Sequence, residues 1–406
     1  MKNYVSFLTN KASLCYLLVC LFAGLGGGFF YPLLGIFVVD GLHATPLQMG
    51  VFLAISICSG VVVSQRIAKL SDVGWDRRQI ILLSQSAFIV VMSLFMVIRD
   101  YYLALVVMIF ISSITASSMP QTFAIGREYA DKNLGDNSTL FVSLMRAMMS
   151  LSWVIGPPLA FILYDAFGFN GAFLFAATTM AISICIVWNM FPAAKIKQAS
   201  VEGVAEIRQS WRKIPGAPLY LGAVFMLFFA NNMYVMSLPL YVTKELELAG
   251  SVAGQLLGLA AFVEIPVMVL AGLWAAKVAP QRLMVLSAAS ACLFYTLLFN
   301  ADSLWQMYAL QILNGMAVGI SASLGMVVIQ NKMPNQMGVA TTLFNNAIMI
   351  ASLASSVTVG VVAELYNYHM VILAMLMAGT GAFFLLLLSA RETRSTPCSA
   401  NLMADA

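Results

Sequence analysis

The sequence predicts an all-α membrane protein in which twelve transmembrane helices form two pseudo-symmetric six-helix bundles. Three observations support this fold class: the composition, twelve long apolar runs, and a residue order that repeats in the two halves. Of the 406 residues, 61% are hydrophobic and 9% are charged, whereas soluble domains average roughly 45–50% apolar and about 25% charged residues. Because so little charge cannot cover a surface in water, most of the surface must face lipid.

Each apolar run is long enough to cross a bilayer core of about 30 Å, which takes roughly 20 helical residues. The runs are continuous rather than alternating, and this favours helices over the strands of a membrane barrel. The first run is too long for a signal peptide and leads into further spans, so we expect it to stay in the mature protein. The predicted spans 1 to 12 are 14–39, 47–67, 79–98, 102–126, 138–164, 169–191, 217–241, 250–276, 283–300, 303–330, 337–363 and 367–390.

A polar stretch separates two halves of six spans each. It predicts an N-terminal bundle at 1–191, a positive cytoplasmic linker at 192–216, and a C-terminal bundle with a short tail at 217–406. At an offset of 207 residues, Pro32 aligns with Pro239 and Gln48 with Gln255. At an offset of 203, the Thr-Leu-Phe of span 5 (139–141) aligns with that of span 11 (342–344). The shared order indicates a duplicated bundle.

The Lys and Arg residues predict a multi-pass inner-membrane protein with both termini cytoplasmic. Of the 21, all but three fall in cytoplasmic segments on this topology: Arg99 and Lys244 lie outside and Arg146 lies within a span. The net charge of +4 therefore reports orientation in the bilayer and gives no reason to expect a nucleic-acid partner. No cysteine or histidine spacing is typical of a zinc site or a disulfide frame, so we expect no metal and no cofactor. We expect the protein to be a monomer.

The loop after span 2 reads Ala-Lys-Leu-Ser-Asp-Val-Gly-Trp-Asp-Arg-Arg over 68–78. It resembles the loop Gly-x-x-x-Asp-Arg-x-Gly-Arg-Arg of the major facilitator superfamily. Here Ala68 stands in place of the leading glycine, and the basic pair Arg77-Arg78 comes one residue later. Two six-helix bundles related by an axis along the membrane normal are also the plan of that superfamily. The loop would then act as a cytoplasmic latch, with Asp72 capping a helix N-terminus and Arg77 or Arg78 pairing with a nearby acid. The alternative is a loop that is positive for orientation alone.

Few ionisable residues interrupt the spans, and each is expensive in lipid, at about 2.5–3.5 kcal/mol or more. They are Arg146 in span 5, Glu264 in span 8, and the Arg127-Glu128 pair near the inner end of span 4. At mid-span, Glu264 could hydrogen-bond a substrate hydroxyl, carry a proton, or do both. The alternative is a structural glutamic acid that bonds a backbone carbonyl freed by Pro266.

Arg146 cannot lose its proton, and Glu128 on the adjacent span is its expected partner. Trp153 follows seven residues after Arg146, two helical turns along the same face. A guanidinium, a carboxylate and an indole on one wall can bind a sugar, because the charged groups take hydroxyls and the ring packs on the apolar face of a pyranose. Trp153 could instead pack in a core.

Neutral polar residues in the spans fit the same chemistry, because amides supply both donors and acceptors for a polyhydroxylated ligand. Hydrogen bonding between helices is the competing explanation. We expect such a structural role for Gln311. We expect substrate contacts from Gln121, Asn231, Asn232, Tyr234 and Asn345.

Four stretches together resemble the bacterial sugar efflux transporter family of the major facilitator superfamily: 119–131, 145–161, 264–272 and 340–345. The resemblance implies export of lactose, glucose and small glycosides by proton antiport. A more distant similarity to lactose permease implies that Glu128, Arg146, Trp153 and Glu264 bind the sugar. Span 10 lacks the proton-relay His and Glu of that permease, so we assign proton coupling to Glu264.

These patterns predict a proton-coupled sugar efflux transporter that works by alternating access. A multidrug efflux transporter of the same superfamily is the alternative, since the 26 methionines would suit a more apolar cavity. A membrane-embedded enzyme would need a nucleophile, an acid–base pair or a metal constellation near an interface. The sequence offers none, so we expect no enzymatic activity.

Overall fold

The computed structural model describes residues 10–72, 75–191, 210–275 and 277–395. Every regular element within these ranges is helical. The α-helices are α1 (Lys11–Ile36), α2 (Pro46–Asp72), α3 (Arg77–Val97), α4 (Tyr101–Val107), α5 (Ser113–Thr115), α6 (Ser118–Asn133), α7 (Ser138–Met190), α8 (Ala217–Leu240), α9 (Gly250–Trp274), α10 (Pro280–Phe299), α11 (Leu304–Lys332), α12 (Met337–Leu365) and α13 (Tyr368–Ser395). Most of the predicted linker, 192–209, lies outside the described residues, as does the tail from 396 onward.

The described helices confirm the twelve predicted spans. Eleven helical segments in the described ranges are long and apolar enough to cross a membrane, and the 53-residue α7 supplies two of the twelve spans. At Gly168 the backbone leaves the helical region, with φ 67° and ψ −167°. A positive φ of this size strains any residue with a Cβ atom, so this glycine separates span 5 from span 6. Helices α4 to α6 together form span 4.

Side-chain caps explain why several helices begin where they do. At the start of α2, the amide of Gln48 donates to Thr45 Oγ1 at 3.3 Å and the amide of Thr45 donates to Gln48 Oε1 at 2.9 Å, which is a reciprocal capping box. Asp76 Oδ1 accepts from the amide of Arg78 at 2.9 Å and caps α3. Asp100 Oδ1 accepts from the amide of Leu103 at 2.8 Å and caps α4.

The chain divides into two compact units. The first comprises Met1–Glu202, Val235–Ala261 and Ser356–Tyr368, and the second comprises Gly203–Tyr234, Phe262–Ser355 and His369–Ala406. The first unit therefore contains the end of α8, the first half of α9 and the end of α12 together with the six N-terminal spans. The predicted division of the chain into bundles at 1–191 and 217–406 stays a prediction.

Close helix packing in the first unit depends on glycine. A Cβ atom on Gly28 of α1 would lie 3.1 Å from the carbonyl oxygen of Ser152 and 3.4 Å from the Cα atom of Gly156 in α7. These two glycines therefore let α1 and α7 meet at backbone distance, as small residues commonly do in membrane bundles. Aromatic rings complete the packing nearer the N-terminus, where the buried Tyr16 ring stacks on the partly accessible Tyr129 ring at a centroid distance of 4.7 Å.

The internal repeat is visible as two matching helix ends in the first unit. The π-helical segments Phe37–Gly41 and Tyr241–Glu245 are five residues long and stand 204 positions apart. Each is followed by a non-glycine residue with positive φ, His43 at 54° and Glu247 at 53°, again 204 positions apart. The offset lies between the 203 and 207 read from the sequence, and the same local backbone supports a duplication.

Buried hydrogen bonds between helices hold the second unit together. Tyr220 Oη donates to the carbonyl of Gly325 at 2.6 Å, and Ser287 Oγ donates to the carbonyl of Ala317 at 2.7 Å. Each bond joins a hydroxyl to a backbone carbonyl on another helix, so α8 and α10 are both fixed against α11.

Candidate functional site

Arg146 lies in α7 about two turns from its first residue, at roughly 1.5 Å per residue. The side chain is accessible, and it makes no ion pair or hydrogen bond with a residue that the structure describes. Trp153 lies two turns further along the same helix face, and its half-buried ring lines a cavity in the first unit. The guanidinium is therefore available to a ligand on the face that carries the indole.

Glu128 is paired with Arg77, and not with Arg146 as the sequence predicts. Its Oε1 atom lies 3.0 Å from Arg77 Nε, with side chains 45% and 14% accessible respectively. No ion pair joins Glu128 to Arg146 in the described part of the chain. The expected pairing of Glu128 with Arg146 was wrong, because Arg77, the first residue of α3, lies beside the part of α6 that carries Glu128.

Gln121 is also held by Arg77. Its Oε1 atom accepts from Arg77 Nη1 at 2.8 Å, and the residue is only 4% accessible. The sequence predicts that Gln121 contacts substrate, but its amide oxygen is bonded to Arg77 within the first unit. One guanidinium thus binds two side chains of α6, which suits the fork geometry of arginine.

The loop predicted to be a latch is anchored at the start of α3. Asp76, rather than the expected Asp72, caps this helix; Asp72 ends α2, and its side chain lies outside the described residues. Arg78 Nη2 donates to the carbonyl of Trp188 at 2.5 Å, and the Arg78 guanidinium lies 5.6 Å from the centre of the Trp188 ring. The basic pair therefore ties α3 to α6 through Arg77 and to the end of α7 through Arg78.

Glu264 lies in the middle of α9 and belongs to the second unit. It is half-buried and makes no hydrogen bond with a described residue, so the predicted alternative of a carboxyl bonded to a freed backbone carbonyl is not observed there. Gly319 on α11 allows a close approach to this position, since a Cβ on Gly319 would lie 3.0 Å from the Glu264 carbonyl oxygen. The carboxyl group is free to bind a proton or a ligand.

The predicted polar side chains of the second unit differ in solvent accessibility. Asn231 and Asn232 are partly accessible and Asn345 is exposed, and none of the three hydrogen-bonds a described residue. Tyr234, by contrast, is 2% accessible and donates to Gln311 Oε1 at 3.0 Å. The expectation that Tyr234 contacts substrate does not fit this geometry, because its hydroxyl holds α8 to α11. Gln311 has the structural role that we expected for it.

A set of charged residues that was not predicted from the sequence, the end cluster, consists of Asp40, Asp165, Lys244 and Glu364. It lies at the end of the first unit that the Lys and Arg placement predicts to be outside. Asp40 Oδ1 lies 2.5 Å from Lys244 Nζ. Asp165 accepts from the amides of Gly250 and Ser251 at the start of α9. Glu364 accepts from the amide of Leu47 at the start of α2, at 3.2 Å. The sequence signal that could have identified the end cluster is the acidic residue that directly follows each of spans 1, 5 and 11.

Glycines let the helices of the end cluster meet. A Cβ on Gly50 of α2 would lie 2.6 Å from the carbonyl oxygen of Ser356 and 2.9 Å from the Cα of Gly360 in α12. A Cβ on Gly254 of α9 would lie 2.8 Å from the carbonyl oxygen of Pro157 in α7. Gly50 and Gly254 stand 204 residues apart, so the repeat provides two equivalent close contacts.

Comparison with known proteins gives consistent results. The sequence profile of the Major Facilitator Superfamily matches residues 16–356 and 220–401. "Sugar efflux transporter A" of Dickeya chrysanthemi is 35% identical over 362 residues, which cover 89% of this chain and 91% of that protein. "Sugar efflux transporter C" of Escherichia coli strain K12 is 33% identical, with 90% and 92% covered. The crystal structure of the nucleoside transporter NupG matches with a TM-score of 0.74 at 13% identity over 95% of this chain and all of that one, a similarity of fold.

Proposed function

Since the chain belongs to the bacterial sugar efflux transporter family of the Major Facilitator Superfamily, we propose that it exports small sugars and glycosides in exchange for protons. It is a multi-pass membrane transporter and not an enzyme. We place it in the bacterial inner membrane as a monomer with both termini in the cytoplasm. Lactose and glucose-like sugars are the proposed substrates.

The observation that carries this proposal is the state of Arg146 and Glu264. Each is an ionisable group within a span, Arg146 about two turns inside span 5 and Glu264 at the middle of span 8, and neither bonds a residue that the structure describes. Such groups are expensive in lipid unless they meet water or a ligand. The permanent cation of Arg146 and the available carboxyl of Glu264 therefore support the proposal that the protein binds a polar substrate and a proton.

Each accessible side chain has a role in this proposal. The fork of Arg146 donates to neighbouring sugar hydroxyls, and the Trp153 ring packs on the apolar face of the sugar. Asn231, Asn232 and Asn345 supply further donors and acceptors.

Three other predicted residues act differently. Glu128 remains a candidate ligand through its accessible carboxylate, although it also pairs with Arg77. Gln121 and Tyr234 position their neighbours, because both are buried and hydrogen-bonded.

Glu264 couples the sugar to the proton. A carboxyl at mid-span can accept a proton from one side and lose it to the other as access alternates, and it can hydrogen-bond a sugar hydroxyl in one of its two states. Opening and closing of the end cluster provides the alternation on the outer side. Gly50 and Gly254 let the helices close there at backbone distance.

The test uses the purified full chain in liposomes whose interior is acidified, with labelled lactose and glucose outside. In molecules inserted with their cytoplasmic face outward, we expect accumulation of sugar that a protonophore abolishes. Glu264→Gln should still exchange sugar down its gradient but should lose uphill accumulation, whereas the control Arg127→Gln changes an exposed i,i+4 pair with Asp131 and should behave as the parent. Uphill, proton-coupled transport by Glu264→Gln would overturn its assigned role.

A multidrug transporter is the second candidate, because Met119, Met149 and Met180 line the cavity beside Trp153. Thioether side chains suit apolar ligands of varied shape. Binding of a β-galactoside measured against binding of a lipophilic cation separates the two functions. Saturable binding of the cation without binding of the galactoside would favour the multidrug assignment.

A further inference from the structure

A small cavity with unpaired hydroxyls lies beside Trp153 inside the first unit. Its volume is about 90 Å³, and it lies between α1, α3, α7 and the break in span 4. Ser84 on α3 and Ser118 on α6 both line it, with accessibilities of 0% and 7%. The Oγ atoms of both serines are buried and have no hydrogen-bond partner in the described part of the chain.

Two physical arguments indicate that this cavity takes a polar group. A buried hydroxyl without a partner costs about 1–3 kcal/mol, and two residues that line one small space carry such hydroxyls. The second argument is the backbone of span 4, which leaves regular helix between α5 and α6 next to Ser118. Irregular backbone at membrane depth is tolerated where it lines a cavity, and broken helices commonly carry the substrate sites of transporters.

The remaining lining restricts the size and chemistry of the group. A cavity of this volume holds at least one water-sized group, so it has room for a small polar substituent. Met119 and Met180 supply apolar wall, and Trp153 closes one side. A fitting group therefore has an apolar carbon and one hydroxyl, and it is attached to a ring that packs on Trp153.

We propose that this cavity is a specificity subsite that receives the exocyclic hydroxymethyl group of a hexopyranose, whose hydroxyl hydrogen-bonds Ser84 and Ser118. The inference rests on the proposed sugar transport and adds to it a preference of the site for hexoses. A hydroxyl group can donate one hydrogen bond and accept another, so one substituent satisfies both serines. Pentopyranoses and 6-deoxy sugars leave the serines unpaired and should bind less well.

The test measures binding of matched sugars to the full chain in nanodiscs by quenching of tryptophan fluorescence. The ligands are D-glucose and D-galactose, their 6-deoxy forms, and D-xylose. We expect the hexoses to bind about three- to tenfold more tightly than their 6-deoxy forms, which is the range of a neutral hydrogen bond. Equal affinities for a hexose and its 6-deoxy form would overturn the subsite alone. If none of these sugars binds, the proposed transport function fails and the subsite fails with it.

Serine variants separate ligand contacts from structural effects. Ser84→Ala combined with Ser118→Ala should reduce hexose affinity to that of the 6-deoxy sugar and leave 6-deoxy binding unchanged. Because the variants remove unpaired buried hydroxyls, the melting temperature should stay the same or rise. The matched control is Ser183→Ala, since Ser183 Oγ is also buried and unpaired but does not line the cavity. An equal loss for both sugars, or an equal loss in Ser183→Ala, would contradict the proposal.

Discussion

Lys244 Nζ lies 2.5 Å from Asp40 Oδ1, and the two residues occupy the same place in two copies of one motif. Each is the fourth residue of a five-residue π-helical segment, Phe37–Gly41 or Tyr241–Glu245. The duplicated segment thus carries a negative charge in one copy and a positive charge in the other. Opposite charges at equivalent positions let the two copies attract each other where they meet.

Loss of this ion pair should favour opening of the outer end. Both side chains are partly accessible, 26% for Asp40 and 44% for Lys244, so solvent screening limits the pair to about 0.2–1 kcal/mol. Lys244→Met or Asp40→Asn should raise the open population up to about fivefold, measured by distances between spin labels at the ends of α1 and α8. The charge-reversed double variant should restore the parent distribution. An unchanged distribution in both single variants would show that the pair does not control opening.

Bulk at Gly254 should prevent closure. A Cβ there would lie 2.8 Å from the carbonyl oxygen of Pro157, whereas a Cβ at Gly272 of the same helix meets nothing within 4 Å. Gly254→Leu should therefore cost about 1–3 kcal/mol in the closed state and lower the transport rate about tenfold or more. Gly272→Leu is the matched control and should transport at the parent rate, with a melting temperature that is unchanged or higher. Equal rates in the two variants would refute the close-contact role.

Asp165 should stabilise the start of α9. Its Oδ1 and Oδ2 atoms accept from the amides of Gly250 and Ser251 at 3.2 and 2.8 Å, and a carboxylate is favoured at a helix N-terminus. Asp165→Ala should reduce stability by about 0.5–2 kcal/mol, measured as the midpoint of thermal unfolding in detergent. Asp165→Asn keeps an acceptor oxygen and should lose less. An alanine variant as stable as the parent would count against the cap.

Lysine variants of Arg77 and Arg146 should differ in effect: the first should lower the stability of the protein and the second its affinity for sugar. Arg77→Lys loses the fork that joins Gln121 to Glu128, so we expect a loss of about 1–3 kcal/mol, with the smaller share from the exposed carboxylate. Arg146→Lys breaks no bond among the described residues, so the melting temperature should not change while sugar affinity falls. Thermal unfolding and sugar binding measured on the same preparations check both outcomes. A destabilised Arg146→Lys with unchanged affinity would reverse the assignment.

The span pattern was predictable because the bilayer imposes it locally. Twenty apolar residues must form a helix in lipid whatever surrounds them, and α2, α3 and α8 begin within about two residues of the predicted spans. Arg146 and Asn345 are accessible, and their roles as substrate ligands stay predictions. Partner choice was not predictable. Glu128 could have reached either arginine, and only the placement of α3 beside α6 selects Arg77.

The sequence by itself determined that this protein crosses a membrane twelve times, is built from a duplicated unit, and keeps an arginine and a glutamate inside its spans. Those properties depend on composition and on spacing along the chain. The tertiary structure alone decided that Gln121 and Tyr234 are bonded internally, that Asp40 meets Lys244, and that Ser84 and Ser118 face one cavity. Serine is among the least informative residues in an apolar helix, because its hydroxyl can always bond the carbonyl one turn back. Whether it does so, or remains unpaired beside a cavity, depends on helices that are distant in the sequence.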